Sequence, residues 1–156
     1  MINALGIDLA PYLVADRVLR IEHPIGKAAL LARLIERTAS HPLVGDPAGF
    51  TKAIYEREEV TSTGIGGGVA LPHARMTTVK GFVLSLGLLP HGIDYQAQDG
   101  APVRIVVMLA ATDDDHPRYL KTLASVAMRL KQPGLVQKLV HITDPAQVVT
   151  AFLGHS

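Results

Sequence analysis

A chain of 156 residues in which 48% of the side chains are apolar is most simply one domain with a core of its own. Its 15 Lys and Arg against 14 Asp and Glu create no general field for nucleic acid or an anionic membrane, and the absence of cysteine excludes disulfides and thiolate zinc sites. No run approaches the ~18 apolar residues of a membrane span, and no early stretch has the basic, apolar and small-residue regions of a secretory signal, so a cytoplasmic protein is expected.

Residues 1–15 read as an N-terminal arm in which Leu9, Tyr12 and Leu13 form a short helical turn against the core. Arg17-Val18-Leu19-Arg20-Ile21 has the β propensity and partial alternation of a short strand. Pro24 suits the first position of a helix, and Ile25, Ala28, Ala29, Ala32, Ile35 and Ala39 follow at helical spacing as its apolar face. His41-Pro42 closes that helix. Asp46 caps a second one with Pro47 at its start, and Phe50, Ala53, Ile54 and Arg57 share one side of it.

The next stretch, Thr61-Ser62-Thr63-Gly64-Ile65-Gly66-Gly67-Gly68-Val69-Ala70-Leu71-Pro72-His73-Ala74-Arg75, places four glycines within five positions and then a histidine directly after a proline. Glycine lets the backbone approach a ligand closely and adopt positive φ. The dinucleotide pattern G-x-G-x-x-G fails because Val69 stands where its third glycine belongs, and Gly26-Lys27 is followed by Ala28, so a P-loop fails too. What remains is a loop of backbone amides leading to His73, flanked by Arg57 and Arg75. Turn amides form an anion-binding concavity, arginine grips phosphate bidentately, and imidazole is nucleophilic at neutral pH. The combination suits a histidine that carries a phosphoryl group, and Ile65, Val69 and Leu71 suit a flat rim on which a partner docks.

Downstream, residues 69–71, 82–89 and 103–110 read as strands, the last almost continuously apolar, as in a strand covered on both faces. Residues 91–100 form a polar connection with at most a small strand over 93–95. Asp113-Asp114-Asp115 precedes His116-Pro117 and a helix whose stripe is Leu120, Leu123, Ala124 and Ala127. A helix N-terminus at the carboxyl end of a central strand favours an anion, so the acidic run is expected to point away. Pro133 and Asp144-Pro145 start two further short helices carrying Leu135, Val136, Leu139 and Val148, Val149, Phe152. Interleaved strands and helices predict an α/β protein: a three-layer α/β/α single domain over residues 1–156, core about 10–153, with a small mixed β-sheet flanked by helices.

Arg57-Glu58-Glu59, then Ser62-Thr63-Gly64-Ile65-Gly66 and Gly68-Val69-Ala70-Leu71-Pro72-His73, closely resembles the active-site signature of the fructose/mannitol-type IIA domains of the bacterial phosphotransferase system. The resemblance extends through Asp99-Gly100 and Pro102-Val103-Arg104-Ile105-Val106 to His116, where that family has its second active-site histidine. It implies a phosphoryl acceptor at His73, Arg57 holding the phosphoryl oxygens, and His116 beside them. Gly64, Gly66 and Gly68 would line the phosphoryl site, with Thr63 either donating to it or only shaping the turn. Arg75 is open between site and surface. The implied donor is an HPr-type phosphocarrier; no metal or organic cofactor is implied.

As a free-standing domain the chain looks most like the nitrogen-regulatory branch, whose phosphorylation state decides which proteins it engages. The alternative is a sugar-specific IIA component that passes the phosphoryl group to a IIB domain. Gly67 and Ala74 depart from the family pattern. A metal-dependent hydrolase built on His73, His116 and the aspartates is a third reading. It gains nothing from His23, His41, His91 and His141, which have no ligand spacing. Oligomeric state and the reactive imidazole nitrogen stay open.

Overall fold

The computed structural model describes residues 2–154. In chain order its elements are β1 (Val18–Arg20), α1 (Lys27–Ala39), α2 (Pro47–Val60), β2 (Gly64–Gly66), β3 (Val69–Ala70), β4 (His73–Met76), β5 (Phe82–Ile93), β6 (Val103–Thr112), α3 (His116–Leu130), α4 (Leu135–His141) and α5 (Pro145–Leu153). Two 3-10 turns precede β1, and the first, Ala10–Tyr12, is the helical turn expected near Tyr12.

β5 and β6 pair antiparallel at the centre of the sheet, with Leu84 opposite Leu109 and Leu88 opposite Ile105. β1 lies parallel to β5 on its other edge. β3 and β4 succeed one another along the free edge of β6, both parallel to it, and β2 folds back antiparallel on β3. Successive strand side chains point to opposite faces. In β6 this sends Ile105, Val107, Leu109 and Ala111 into a core with α3, α4 and α5, and Val106, Met108 and Ala110 into a second core with α1 and α2. The result is the expected three-layer α/β/α arrangement around a mixed sheet, and burial on both faces explains the nearly continuous apolar run of β6, interrupted by Arg104 near its start.

Three helices begin as the sequence indicates. Asp46, Asp115 and Asp144 each accept a backbone N–H of the first turn, with proline following inside the helix, where its missing N–H costs nothing. Two apolar faces were misplaced, however. α1 begins at Lys27 rather than Pro24, with Gly26 at its cap, and buries Leu30, Leu31, Leu34, Ile35, Thr38 and Ala39. Ala28, Ala29 and Ala32 are exposed. Leucine removes far more area from water than alanine, so the leucines decide which face turns inward, while alanine favours a helix on any face.

In α3 the buried positions are Thr122, Ser125, Val126 and Leu130, whereas Leu120 and Ala124 are exposed. The two buried hydroxyls donate to the carbonyls of Arg118 and Lys121, each at 2.7 Å, so polar letters sit inside without loss of hydrogen bonds. β5 also runs past residue 89 to Ile93, which pairs with Val103 and absorbs part of the small strand expected there. Among the described residues no helix is long and apolar enough to cross a membrane.

Candidate functional site

His73 opens β4, and strand alternation puts it on the same face as Arg75, while Ala74 packs into the core beneath α1 and α2. The element they face is the first turn of α3. There Tyr119 lies with its ring centroid 6.1 Å from that of His73 and 6.0 Å from that of His116. The Arg75 guanidinium sits 5.2 Å from the Tyr119 centroid and donates to Nδ1 of His116. Arginine is a donor only, so His116 Nδ1 accepts and its proton is on Nε2, directed away from Arg75. The structure thus brings His73, His116 and Arg75 together and adds a tyrosine that the sequence reading missed. Its only signal was its spacing, one helical turn beyond His116.

The His73 ring is fixed by its own backbone neighbourhood. Nδ1 lies 2.6 Å from the Leu71 carbonyl oxygen, which can only accept, so Nδ1 carries the proton and the neutral ring keeps its lone pair on Nε2. Burial lowers the His73 pKa below its ordinary value of 6.5, and the positive charge of Arg57 lowers it further. The Leu71 bond and the charge of Glu58 oppose the shift without reversing it.

A consequence follows for pH. Because the folded ring resists protonation, falling pH protonates the unfolded chain first, and stability from this group is present above the unfolded value and lost as pH drops through 6.5 toward the folded value. His73 is therefore expected to titrate below 6.5 by ring-proton or ring-nitrogen NMR, and to be neutral throughout the neutral range. A midpoint above 6.5 would contradict this electrostatic account.

Arg57 lies in the last turn of α2, where its Nη1 donates to the Thr61 carbonyl at 3.0 Å. Its positive charge is felt at both His73 and Tyr119, where it works against protonation of the imidazole and for ionisation of the phenol. The adjacent Glu58, unassigned in the sequence reading, turns inward. Its side chain is 6% exposed and pairs with Lys27 Nζ at 2.8 Å. It also accepts from the Tyr95 hydroxyl at 2.9 Å, and from both the backbone N–H and the hydroxyl of Thr63. Burial opposes ionisation of Glu58, but the bonds from Lys27, Thr63 and Tyr95 outweigh it and hold the carboxyl below its ordinary value. Thr63 is 3% exposed, and its hydroxyl is turned toward Glu58 and Tyr95.

The glycine run requires a correction. Gly66, Gly67 and Gly68 have φ of 94°, 66° and 79°, a left-handed run that only glycine adopts without strain, and they form the hairpin turn between β2 and β3. That turn is at the far end of β3 from His73. The four steps from Val69 to His73 run alongside β6 and cover about 13 Å at the ordinary strand rise of ~3.3 Å. An anion does meet a turn amide, but it is the chain's own Asp99 carboxylate, 3.2 Å from the Gly67 nitrogen. Gly66 and Gly68 are thus not brought to the histidine. Gly64 is nearer, and its lack of a side chain is explained by packing: a Cβ there would lie 2.7 Å from that of Ala97.

The rim also differs from expectation. Val69 and Leu71 are buried, and of the three apolar residues only Ile65 is exposed, whereas Leu120, one turn beyond His116, is 50% exposed. Asp113 and Asp114 are exposed, and Asp115 is occupied with capping α3 and an ion pair to Arg118 at 3.5 Å. Among the described residues no three His, Cys, Asp or Glu side chains gather as metal ligands would.

Residues 13–154 match the model of the family described as phosphoenolpyruvate-dependent sugar phosphotransferase system, EIIA 2. The chain belongs to this family. Among EIIA relatives, the fructose-specific EIIABC component of Bacillus subtilis is 30% identical over 112 residues, 72% of this chain and 18% of that protein's length. The nitrogen regulatory protein of Bradyrhizobium diazoefficiens is 31% identical over 102 residues, 65% of this chain and 66% of that protein. The chain thus spans under a fifth of the first relative's length and just under two thirds of the second's. The crystal structure of nitrogen regulatory protein IIA-Ntr from Neisseria meningitidis superposes with a TM-score of 0.83 at 23% identity, covering 92% of this chain and 98% of that one. That likeness confirms the EIIA fold.

Proposed function

We propose that this EIIA chain is a cytoplasmic phosphohistidine carrier in which Nε2 of His73 accepts a phosphoryl group from the histidine of an HPr-type phosphocarrier and later surrenders it. The observation that carries the reading is the bond from His73 Nδ1 to the Leu71 carbonyl, which commits the ring to one tautomer and leaves the Nε2 lone pair as nucleophile. In the transfer, that lone pair forms the new N–P bond as the donor's N–P bond breaks, and the electron pair leaves with the donor imidazole. Little covalent work is needed from the protein; alignment and charge stabilisation dominate.

The surrounding groups fit those tasks. Arg57 offers a guanidinium for the equatorial oxygens as their charge shifts between two nitrogens. Arg75 fixes His116 so that its Nε2–H is available as a further donor. The exposed Leu120 beside His116 leaves an open apolar border where another protein's histidine can arrive. Phosphorylation places close to two negative charges on this surface, enough to create or abolish an interface. Regulation in the nitrogen branch is the favoured role, supported by the Bradyrhizobium relative. Sugar uptake through a IIB domain is the second reading, favoured by the Bacillus relative.

The test is incubation of the purified chain with phosphoenolpyruvate, enzyme I and an HPr-type carrier. One acid-labile, alkali-stable phosphate is expected, located on the His73 peptide by mass spectrometry and on Nε2 by ring-nitrogen NMR. Phosphate on Nδ1, or on another residue, would overturn the assignment. Onward transfer to a purified fructose- or mannitol-type IIB domain would favour sugar uptake over regulation.

A further inference from the structure

We infer that Glu58 is a positioning residue for the proposed phosphoryl transfer, holding in place, through a relay of hydrogen bonds in which it never touches the imidazole, the Leu71 carbonyl that fixes the tautomer of His73. The inference rests on the carrier reading for its consequence in rate, but its geometry stands by itself. Glu58 Oε2 is anchored by Lys27 Nζ at 2.8 Å and Oε1 by the Tyr95 hydroxyl at 2.9 Å, so the carboxylate is tied to the start of α1 and to the segment after β5. Lys27 Nζ also lies 4.3 Å from the centre of the Tyr95 ring, which closes the cluster.

Held in this way, Glu58 grips Thr63 twice. The Thr63 N–H lies 3.3 Å from each carboxylate oxygen, and its hydroxyl donates to Oε1. With that residue fixed, its carbonyl accepts the Leu71 N–H at 3.0 Å, and the Leu71 carbonyl in turn accepts Nδ1–H of His73 at 2.6 Å. The peptide groups of residues 63 and 71 therefore transmit the orientation of one buried carboxylate to the reactive ring.

Glu58 is suited to this role for an electrostatic reason. A carboxylate is an acceptor only, and a buried one that takes bonds from four donor groups on Lys27, Tyr95 and Thr63 holds Thr63 more firmly than a hydroxyl or amide could. The downstream links are peptide groups of fixed polarity, so what Glu58 sets is where the Leu71 carbonyl stands, and that acceptor keeps the proton on Nδ1 and the lone pair on Nε2. Without the carboxylate the Leu71 carbonyl would be free to shift away from Nδ1, and the ring would lose the acceptor that holds its proton there.

The deciding experiment compares the His73 ring-nitrogen shifts of the unphosphorylated native chain with those of Glu58→Ala and Glu58→Gln. The native ring is expected as a single Nδ1–H tautomer. Glu58→Ala is expected to give a mixture, and Glu58→Gln, which retains an acceptor oxygen, an intermediate pattern. Phosphoryl uptake should fall about 10–100-fold in Glu58→Ala at saturating donor, the usual loss when a residue behind a reactive group is removed, with little change in the half-saturating donor concentration. Should Glu58→Ala fail to fold, Thr63→Val removes the relay's hydroxyl while keeping its backbone bonds and is read in the same way.

Native-like ring shifts in a folded Glu58→Ala, or in Thr63→Val, would overturn the positioning role and leave the carrier reading intact. Phosphate absent from His73 in the native chain would overturn the carrier reading, while the ring-nitrogen comparison would still decide the relay.

Discussion

His73→Ala is expected to take up no phosphoryl group from an HPr-type donor, however long the incubation, because the variant lacks the imidazole whose Nε2 lone pair is left free beside the first turn of α3. His116 lies close by but does not substitute. Its Nδ1 is engaged by Arg75, leaving a protonated Nε2 that donates rather than attacks. His116→Ala should therefore retain uptake at a rate lowered about 10–100-fold, somewhat less than the loss of an oxyanion donor from a fully enclosed site, since His116 is exposed. Mass spectrometry over time, with circular dichroism to confirm the fold, separates the two variants. The His73 ring is half-buried and makes one hydrogen bond to backbone, so its removal should cost only about 1 kcal/mol of stability. Equal labelling of His73→Ala and the native chain would move the acceptor elsewhere and remove the basis of the mechanism.

The fold was legible wherever one local signal acted alone. Asp46-Pro47 and Asp144-Pro145 announce helix starts because cap and proline act within one turn, and residues 103–110 announce a doubly covered strand because no polar residue interrupts them except Arg104. The inward faces of α1 and α3 were illegible for a different reason. Periodicity counts alanine and leucine alike and treats Thr122 and Ser125 as solvent-facing, but burial follows area, and hydroxyls that bond to their own helix enter a core freely.

The candidate site shows the same division. His73, Arg57 and His116 were visible because their residue types and the motif around them announce chemistry. Gly66 and Gly68 were assigned to that chemistry although they serve the backbone: a loop of positive-φ residues looks the same whether it closes a hairpin or cradles an anion, and only register places it at the far end of β3. Glu58, Lys27 and Tyr95 were invisible for the opposite reason. A buried ion pair assembled from α1, α2 and the segment after β5 leaves no spacing in the sequence, since its members meet only when the sheet has brought those segments together.

Arg57→Ala is expected to lower the rate of phosphoryl uptake about 10²–10³-fold, the usual loss when a preorganised donor to developing charge is removed. The effect should appear in the maximal rate and in rate over half-saturation alike, because the interaction belongs to the transition state rather than to docking. Arg57→Lys keeps the charge but loses the planar fork that holds two oxygens at once, so it should recover only part of the loss. A second readout is independent of transfer. Arg57 is one of the groups lowering the His73 pKa, so its removal must raise the titration midpoint toward 6.5 and shift the acid limb of uptake to higher pH. Arg57→Lys should leave that midpoint near its native position, which separates charge from geometry. Stability should change by no more than about 1 kcal/mol, since the side chain makes one exposed hydrogen bond, to Thr61. Native rates in Arg57→Ala would show that the guanidinium does not meet the phosphoryl group. A lost rate with an unmoved midpoint would show that it acts on the donor protein and not at the His73 ring.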